Sequence, residues 1–499
     1  MDPFNLNYGH AKQQKISSPL ARPAKTSDEA LAHVYASAGD VSQVMSVSTN
    51  AVSAPPCDDL RDPAWQPPTR RQIALLLIAA LAVLVARVPR LLLEGRVYAE
   101  EGTTYLRFAW NATPLRAFLA PHQGYYSLLD NLCALIAARL LPLSATALFF
   151  SWVAAAIQLL VVFLAIECEA LRTPRERWLA MFALLLVTPN FETWLSLEMC
   201  QFLLVVAAAV ILISSAHRLF PLRTAVLGLA AFSTPAAMPL IPLFWLRTWK
   251  QRSSRAIVFS LSLTLPAIMQ TLVLVHSIRE GDRPVITHHL RALVAIATSR
   301  VLVYPFTTGR GAQYYDSFLF THPGPGWMLT LCLTSAALLL AGFLFFARAS
   351  PCALALYCGA LLSIAFDWYG CMSCTFDVLP LLPTGQGRYF YSANSMLLLA
   401  LLLAATRPSP RWLARAGAVA FGWLLLTGCS HYLRMRPAIN NYPAWLPQVR
   451  RWQADEYQPI IVAPDFWRAH PLHLPRRHPN RPDVPYSRYD SLTRHPTID

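Results

Sequence analysis

Apolar runs of roughly 17 to 25 residues recur along residues 72 to 430, and each has the length needed to cross a bilayer's hydrocarbon core as a helix. In lipid every backbone N–H and C=O must be satisfied within the protein, which leaves helices or closed barrels. The runs show no period-2 alternation, so the expected fold is an all-α polytopic membrane protein. Composition agrees: the 499 residues are 55% hydrophobic and 14% charged, against about 25% charged in an ordinary soluble domain. That leaves too little polar surface for a water-soluble globule of this size. The net charge of +15 is spread over short loops between apolar runs. It reads as topology information and contact with membrane lipids rather than as a nucleic-acid footprint.

Residues 1–70, rich in Ser, Ala, Pro, Asp and Lys without apolar periodicity, read as a disordered cytoplasmic extension. No cleavable signal peptide precedes the first span, and Met45 opens a more compact leader. Residues 71–430 read as the transmembrane domain, with about 11 spans. Arg70-Arg71 before the first span, Gln72 to Leu93, places the N-terminus in the cytoplasm by the positive-inside rule.

A long external loop, Glu94 to Ser144, follows. It includes an apolar segment, Leu128 to Leu141, interrupted by Asp130 and Arg139, which suits an interfacial helix lying along the membrane. Positive charge at Arg218 and Arg223 and again at Arg247, Lys250, Arg252 and Arg255 brackets Pro235, Pro239 and Pro242. This predicts a broken hairpin with both feet in the cytoplasm; a single tilted span is the alternative, and it would invert everything downstream. Two more external loops, near residues 277–326 and 367–389, carry further polar residues. Residues 431–499 read as a polar, Arg- and Pro-rich tail on the external, periplasmic side.

No phosphate-binding loop, dinucleotide fingerprint, HExxH or metal-spaced Cys/His cluster occurs, and the cytoplasmic loops are short, so chemistry is expected outside. Of the ten cysteines, Cys371 and Cys374 are spaced for a local disulfide and the others read mostly as core residues. The most distinctive external feature is the acid pair Glu100-Glu101, at the far mouth of the first span, where a charge is either solvated or used.

The layout resembles the GT-C superfamily of integral-membrane glycosyltransferases, and its bacterial members in particular. The residues that carry the resemblance are Ala99-Glu100-Glu101-Gly102-Thr103-Thr104-Tyr105 at the start of the first external loop, the Pro121-His122-Gln123-Gly124-Tyr125 turn, the Pro189 to Glu198 turn, and Gly387-Arg388-Tyr389 before a late span. The resemblance implies transfer of a sugar from a polyprenyl-phosphate donor to a cell-envelope glycan or lipid acceptor, at the periplasmic face of the bacterial inner membrane. It casts Glu100 or Glu101 as the base that takes the acceptor's proton and Arg388 as the clamp on the departing phosphate. A Glu-Glu pair stands where the superfamily often has Asp, which leaves the acting residue open. His122, Tyr125 and Tyr389 are candidate substrate contacts or headgroup-level aromatics. Glu192 and Glu198 suit a divalent cation, an acceptor or an ordinary wet turn. Arg310 suits a sugar-phosphate subsite or a solvated loop. Two rival functions fit the same layout: a lipid or glycan transporter (flippase), for which no internal repeat is evident, and a surface-glycan polymerase or ligase, which would not need the first-loop acids.

Overall fold

The computed structural model describes residues 65–188, 190, 192–280, 298–321, 325–372, 387–407, 410–440, 442–463 and 471–475. The expected N-terminal extension (residues 65–70 apart), the Cys371–Cys374 pairing, residues 281–297 and 322–324 of the second external loop, most of the third and the end of the tail lie outside these residues, as does the side chain of Arg310. The described chain is mostly helical and contains no strand, only isolated bridges such as Tyr98 to Ala463.

The helices run in the order α1 (Arg70–Arg87), α2 (Pro89–Leu93), α3 (Arg107–Asn111), α4 (Pro114–Leu119), α5 (Leu128–Arg139), α6 (Leu143–Ile166), α7 (Pro174–Leu186), α8 (Cys200–Leu212), α9 (Phe220–Ser233), α10 (Ile241–Gln251) and α11 (Ser254–Arg279). They continue with α12 (Tyr304–Thr321), α13 (Pro325–Ala349), α14 (Pro351–Met372), α15 (Tyr391–Thr406), α16 (Arg411–Arg434), α17 (Arg436–Asn440) and α18 (Trp445–Ala454). Local chemistry sets several boundaries. Thr69 with Gln72, and Thr173 with Glu176, form reciprocal capping boxes at the starts of α1 and α7. Pro89, which has no N–H to donate, separates α1 from α2.

Among the described residues five helical stretches are long and apolar enough to cross a membrane: Leu143–Ile166, Ser254–Arg279, Cys332–Ala349, Gly387–Thr406 and Arg411–Arg434. The expected first span, α1, is 18 residues long but carries Arg70, Arg71 and Arg87. Helices α7 and α8 have 13 residues each, about 20 Å at 1.5 Å per residue and short of a hydrocarbon core of about 30 Å. Helix α8 is instead the axis of the bundle. Its residues Phe202 to Leu212 are all buried, and it packs against α6, α9 and α15.

The two ends of α8 differ in chemistry. Beyond its C-terminus, Arg247 donates to the Ile211 and Leu212 carbonyls at 2.9 and 3.0 Å, which caps groups that have no intrahelical partner. At the same end Arg218 pairs with Glu167 at 2.5 Å and Arg223 with Glu169 at 3.3 Å. Both basic feet of the α9–α10 segment therefore stand at one end of the bundle. The knee of that segment lies at the other end, where Ser233 Oγ accepts from Leu129 N at 3.2 Å.

Helix α5 presents Leu132 and Arg139 outward and buries Leu129, Asp130, Cys133, Ala134 and Ala137 against the bundle. The described residues after α16 pack against the bundle rather than forming a free tail. Trp445, Val449 and Trp452, spaced as one helical face, are buried, and the chain beyond them runs back over the loop that follows α2.

Candidate functional site

The N-terminal end of α8 is where the acids gather, and the first-loop turn is built for it. Ala99 is held at φ +39°, a left-handed conformation that costs a non-glycine residue roughly 1 kcal/mol or more. Its N–H donates to the Ala463 carbonyl at 2.5 Å, while Ala463 N donates to the Val97 carbonyl at 3.0 Å. From this turn Glu100 and Glu101 enter the protein, 8% and 1% exposed. A solvated acid pair is therefore excluded.

The two acids have different environments. Glu101 Oε2 accepts from Tyr98 N at 2.7 Å, and Oε1 accepts from Ser196 Oγ at 2.8 Å and from Glu198 N at 3.1 Å. Burial pushes its pKa up, and these donors together with Arg96 oppose that push. Glu101 thus ties the first loop to the 190s turn, and both of its oxygens are occupied. Glu100 keeps Oε2 buried without a partner.

Glu198 stands against the Glu100 carboxyl, and its pKa is held well above the usual carboxyl range by burial first and by Glu100 second. Glu198 Oε2 is likewise unpartnered.

Arg388 supplies the positive charge. Its backbone N–H donates to Glu192 Oε2 at 3.1 Å, its guanidinium lies 3.8 Å from Glu192 Oε1, and its side chain retains 19% exposure. The guanidinium sits 5.2 Å from the centre of the Tyr389 ring, and Tyr389 packs edge-on against Phe202 of α8. Burial raises the Glu192 pKa while Arg388 lowers it. Glu192 and Glu198, 4% and 3% exposed, are not on a wet turn. Both sit at a helix N-terminus or its approach, where the helix dipole favours negative charge.

The turn at His122 is a tight reversal. His122 and Tyr125 exchange backbone bonds at 2.9 and 3.1 Å, with Gln123 at φ +53° and Gly124 at +80°, as a two-residue type I′ turn requires. The His122 ring packs edge-on against Tyr105 and Phe108 at 5.0 and 4.9 Å, and burial lowers its pKa to about 4. It is an aromatic packing group, neutral near pH 7. Tyr125 is raised by burial and by Glu198 and Asp130, which places it at the edge of the acid cluster.

The structure thus brings together Glu100, Glu101, Glu192, Glu198, Arg388, Tyr389 and Tyr125, with His122 one ring further out. Arg310 lies on α12, and its side chain is outside the described residues.

Four participants were not expected from sequence. Arg96 stacks 4.7 Å from the Tyr98 ring centre and donates to the Trp194 carbonyl at 2.9 Å. Ser196 donates to Glu101. Asp130 accepts from Ser127 Oγ at 2.5 Å, and burial raises its pKa to about 7. Arg87 is fully buried between Trp194 and Tyr432, 4.3 and 4.9 Å from their centres, and donates to Asn190 Oδ1 at 2.9 Å. Asp130 and Arg87 had a visible signal, a charge inside an apolar run. Ser196 and Arg96 had none.

Among the described residues no group of three His, Cys, Asp or Glu side chains is disposed to hold a metal ion. The Glu101 and Glu192 carboxylates turn instead to N–H, hydroxyl and guanidinium donors.

Compared with protein-family models, curated proteins and solved structures, the chain matches none.

Proposed function

We propose that this end of the bundle is the catalytic centre of a lipid-phosphate-sugar-dependent glycosyltransferase of the GT-C type. It would be a chain of about 11 spans in the bacterial inner membrane, with the acid cluster at the periplasmic face. The observation that carries the proposal is the placing of Glu100 against Glu198 beside Arg388: two buried carboxyls, each with one oxygen free of hydrogen bonds, and a guanidinium whose charge reaches both.

Glycosyl transfer from a polyprenyl phosphate needs these elements. The acceptor hydroxyl attacks the anomeric carbon from the face opposite the phosphate, so configuration inverts. Glu100 Oε2 takes the hydroxyl proton as the new C–O bond forms. The bond to phosphate breaks, its electron pair leaves with the phosphate oxygen, and Arg388 neutralises the charge that develops there. Glu192 aims Arg388 through both its backbone N–H and its side chain.

The test is Glu100→Gln and Arg388→Ala in the full chain, read by the glycan composition of membranes. Loss of one sugar in both variants supports the proposal, and wild-type glycan in the Glu100→Gln variant overturns it. A transporter would lose export of a whole lipid-linked glycan rather than a single residue from it.

A further inference from the structure

The chain after α16 packs against the turn that carries Glu100. Residues 460–463 form a parallel bridge to that turn, with both hydrogen bonds falling on Val97 and Ala99. Gly102 permits the approach: a Cβ there would lie 2.6 Å from Val462 Cγ1 and 2.9 Å from Val97 Cγ1.

The segment is itself anchored at several points. Gln448, 2% exposed, accepts from Ile461 N at 2.6 Å and donates to Ile461 O at 3.2 Å. Ile460 and Leu472 exchange backbone bonds at 3.0 and 2.8 Å. The Trp452 indole donates to Leu474 O at 2.8 Å and the Trp110 indole to Pro475 O at 2.9 Å.

We infer that this C-terminal strap, α18 with residues 460–463 and 471–475, is a positioning element of the site, which sets the direction of Glu100 by holding Ala99 in its left-handed conformation. An alanine at positive φ persists only where its surroundings over-determine it. Here the Ala99 N–H and the Val97 carbonyl are both held by Ala463, while the Ala99 carbonyl accepts from Gly102 and Thr103 of its own turn. No side chain of the strap enters the acid cluster in this arrangement; the strap acts through the backbone. Its catalytic consequence rests on the reading of Glu100 as the base.

The test uses the full chain in detergent or membranes. Ala463→Pro removes the N–H that donates to Val97, Ala463→Gly keeps both bonds, and Gln448→Leu loosens the strap away from the turn. Hydrogen exchange of residues 97–102 should quicken about tenfold or more in Ala463→Pro and Gln448→Leu, but not in Ala463→Gly, with the start of α7, at the opposite end, unchanged. In sugar transfer, the two loosened variants should lose about 100-fold in kcat with KM for the lipid donor nearly constant, because Arg388 is not held by the strap.

Unchanged exchange at residues 97–102 overturns the inference. So does quickened exchange with wild-type kcat. Should Ala463→Pro fail to fold, Gln448→Leu alone decides. If Glu100→Gln transfers sugar normally while exchange responds as expected, the catalytic reading fails and the strap stands as the element that holds the turn.

Discussion

The Ser196 hydroxyl donates to Glu101 Oε1 at 2.8 Å across 95 residues of sequence, and this contact assigns different work to two adjacent acids. Glu101 is a strut between turns. Glu100 is left with a free oxygen against Glu198.

The two acids should therefore separate on substitution. Glu101→Gln turns an amide N–H₂ toward a donor and should cost about 1–3 kcal/mol of stability, seen as a lower thermal midpoint in detergent. Glu100→Gln should leave that midpoint nearly unchanged and reduce sugar transfer by roughly 100-fold or more.

Asp130 gives a pH dependence with a definite sign. Folding raises its pKa from 3.8 to about 7, so the folded state keeps a proton that the unfolded chain has released. Its contribution is full below the unfolded value and is lost as pH rises through about 7. Asp130→Asn cannot ionise. Relative to wild type it should gain stability between pH 4 and 8, on the order of 4 kcal/mol at the upper limit, and the gain should vanish below pH 4. Thermal unfolding at several pH values checks this; a gain independent of pH would contradict it.

Gly95 is required by its contacts. It stands at φ +74°, and a Cβ there would lie 2.2 Å from the Ala147 carbonyl carbon. Gly95→Ala should destabilise by about 3 kcal/mol or more. Gly228 of α9 has nothing within 4 Å of its Cβ position, and Gly228→Ala should stabilise by up to about 1 kcal/mol. Denaturation of the two variants side by side gives the comparison.

The ends of the bundle should label from opposite sides of the membrane. Exposed positions at the acid-cluster end, Arg116 and Tyr457, and at the opposite end, Arg175 and Lys250, can each be replaced by cysteine and treated with an impermeant thiol reagent. Arg116→Cys and Tyr457→Cys should react from one side, Arg175→Cys and Lys250→Cys from the other. Labelling of Tyr457→Cys from the Arg175 side would contradict the docking of the strap on the first loop.

Arg87 should resist conservative exchange. Its planar group stacks between two rings and donates to Asn190, a role that an ammonium cannot fill. Arg87→Lys should lower stability by about 2 kcal/mol or more, measured as a shift in thermal midpoint.

Membrane character and helical class were legible in the chain because they follow from averages: long apolar runs, sparse charge and the demand that lipid places on the backbone. The turn at Pro121 to Tyr125 was legible for the opposite reason, since it depends on a few neighbouring residues. The strap was legible in principle from Trp445, Val449 and Trp452, whose spacing marks a buried helical face, but the surrounding Arg and Pro made it read as tail.

By itself, then, the sequence determined that these residues form apolar helices and that acids at positions 100, 101, 192 and 198 need a reason to be there. Only the tertiary structure decided which acid is which. Local sequence cannot distinguish Glu100 from Glu101, since both follow Ala99 in one turn. Their difference comes from Ser196 and the Glu198 N–H, brought to Glu101 from nearly a hundred residues away, and from Ala463, which holds the turn from the far end of the chain. Burial then makes the difference matter, because in a dry site an occupied carboxylate and a free one do different chemistry.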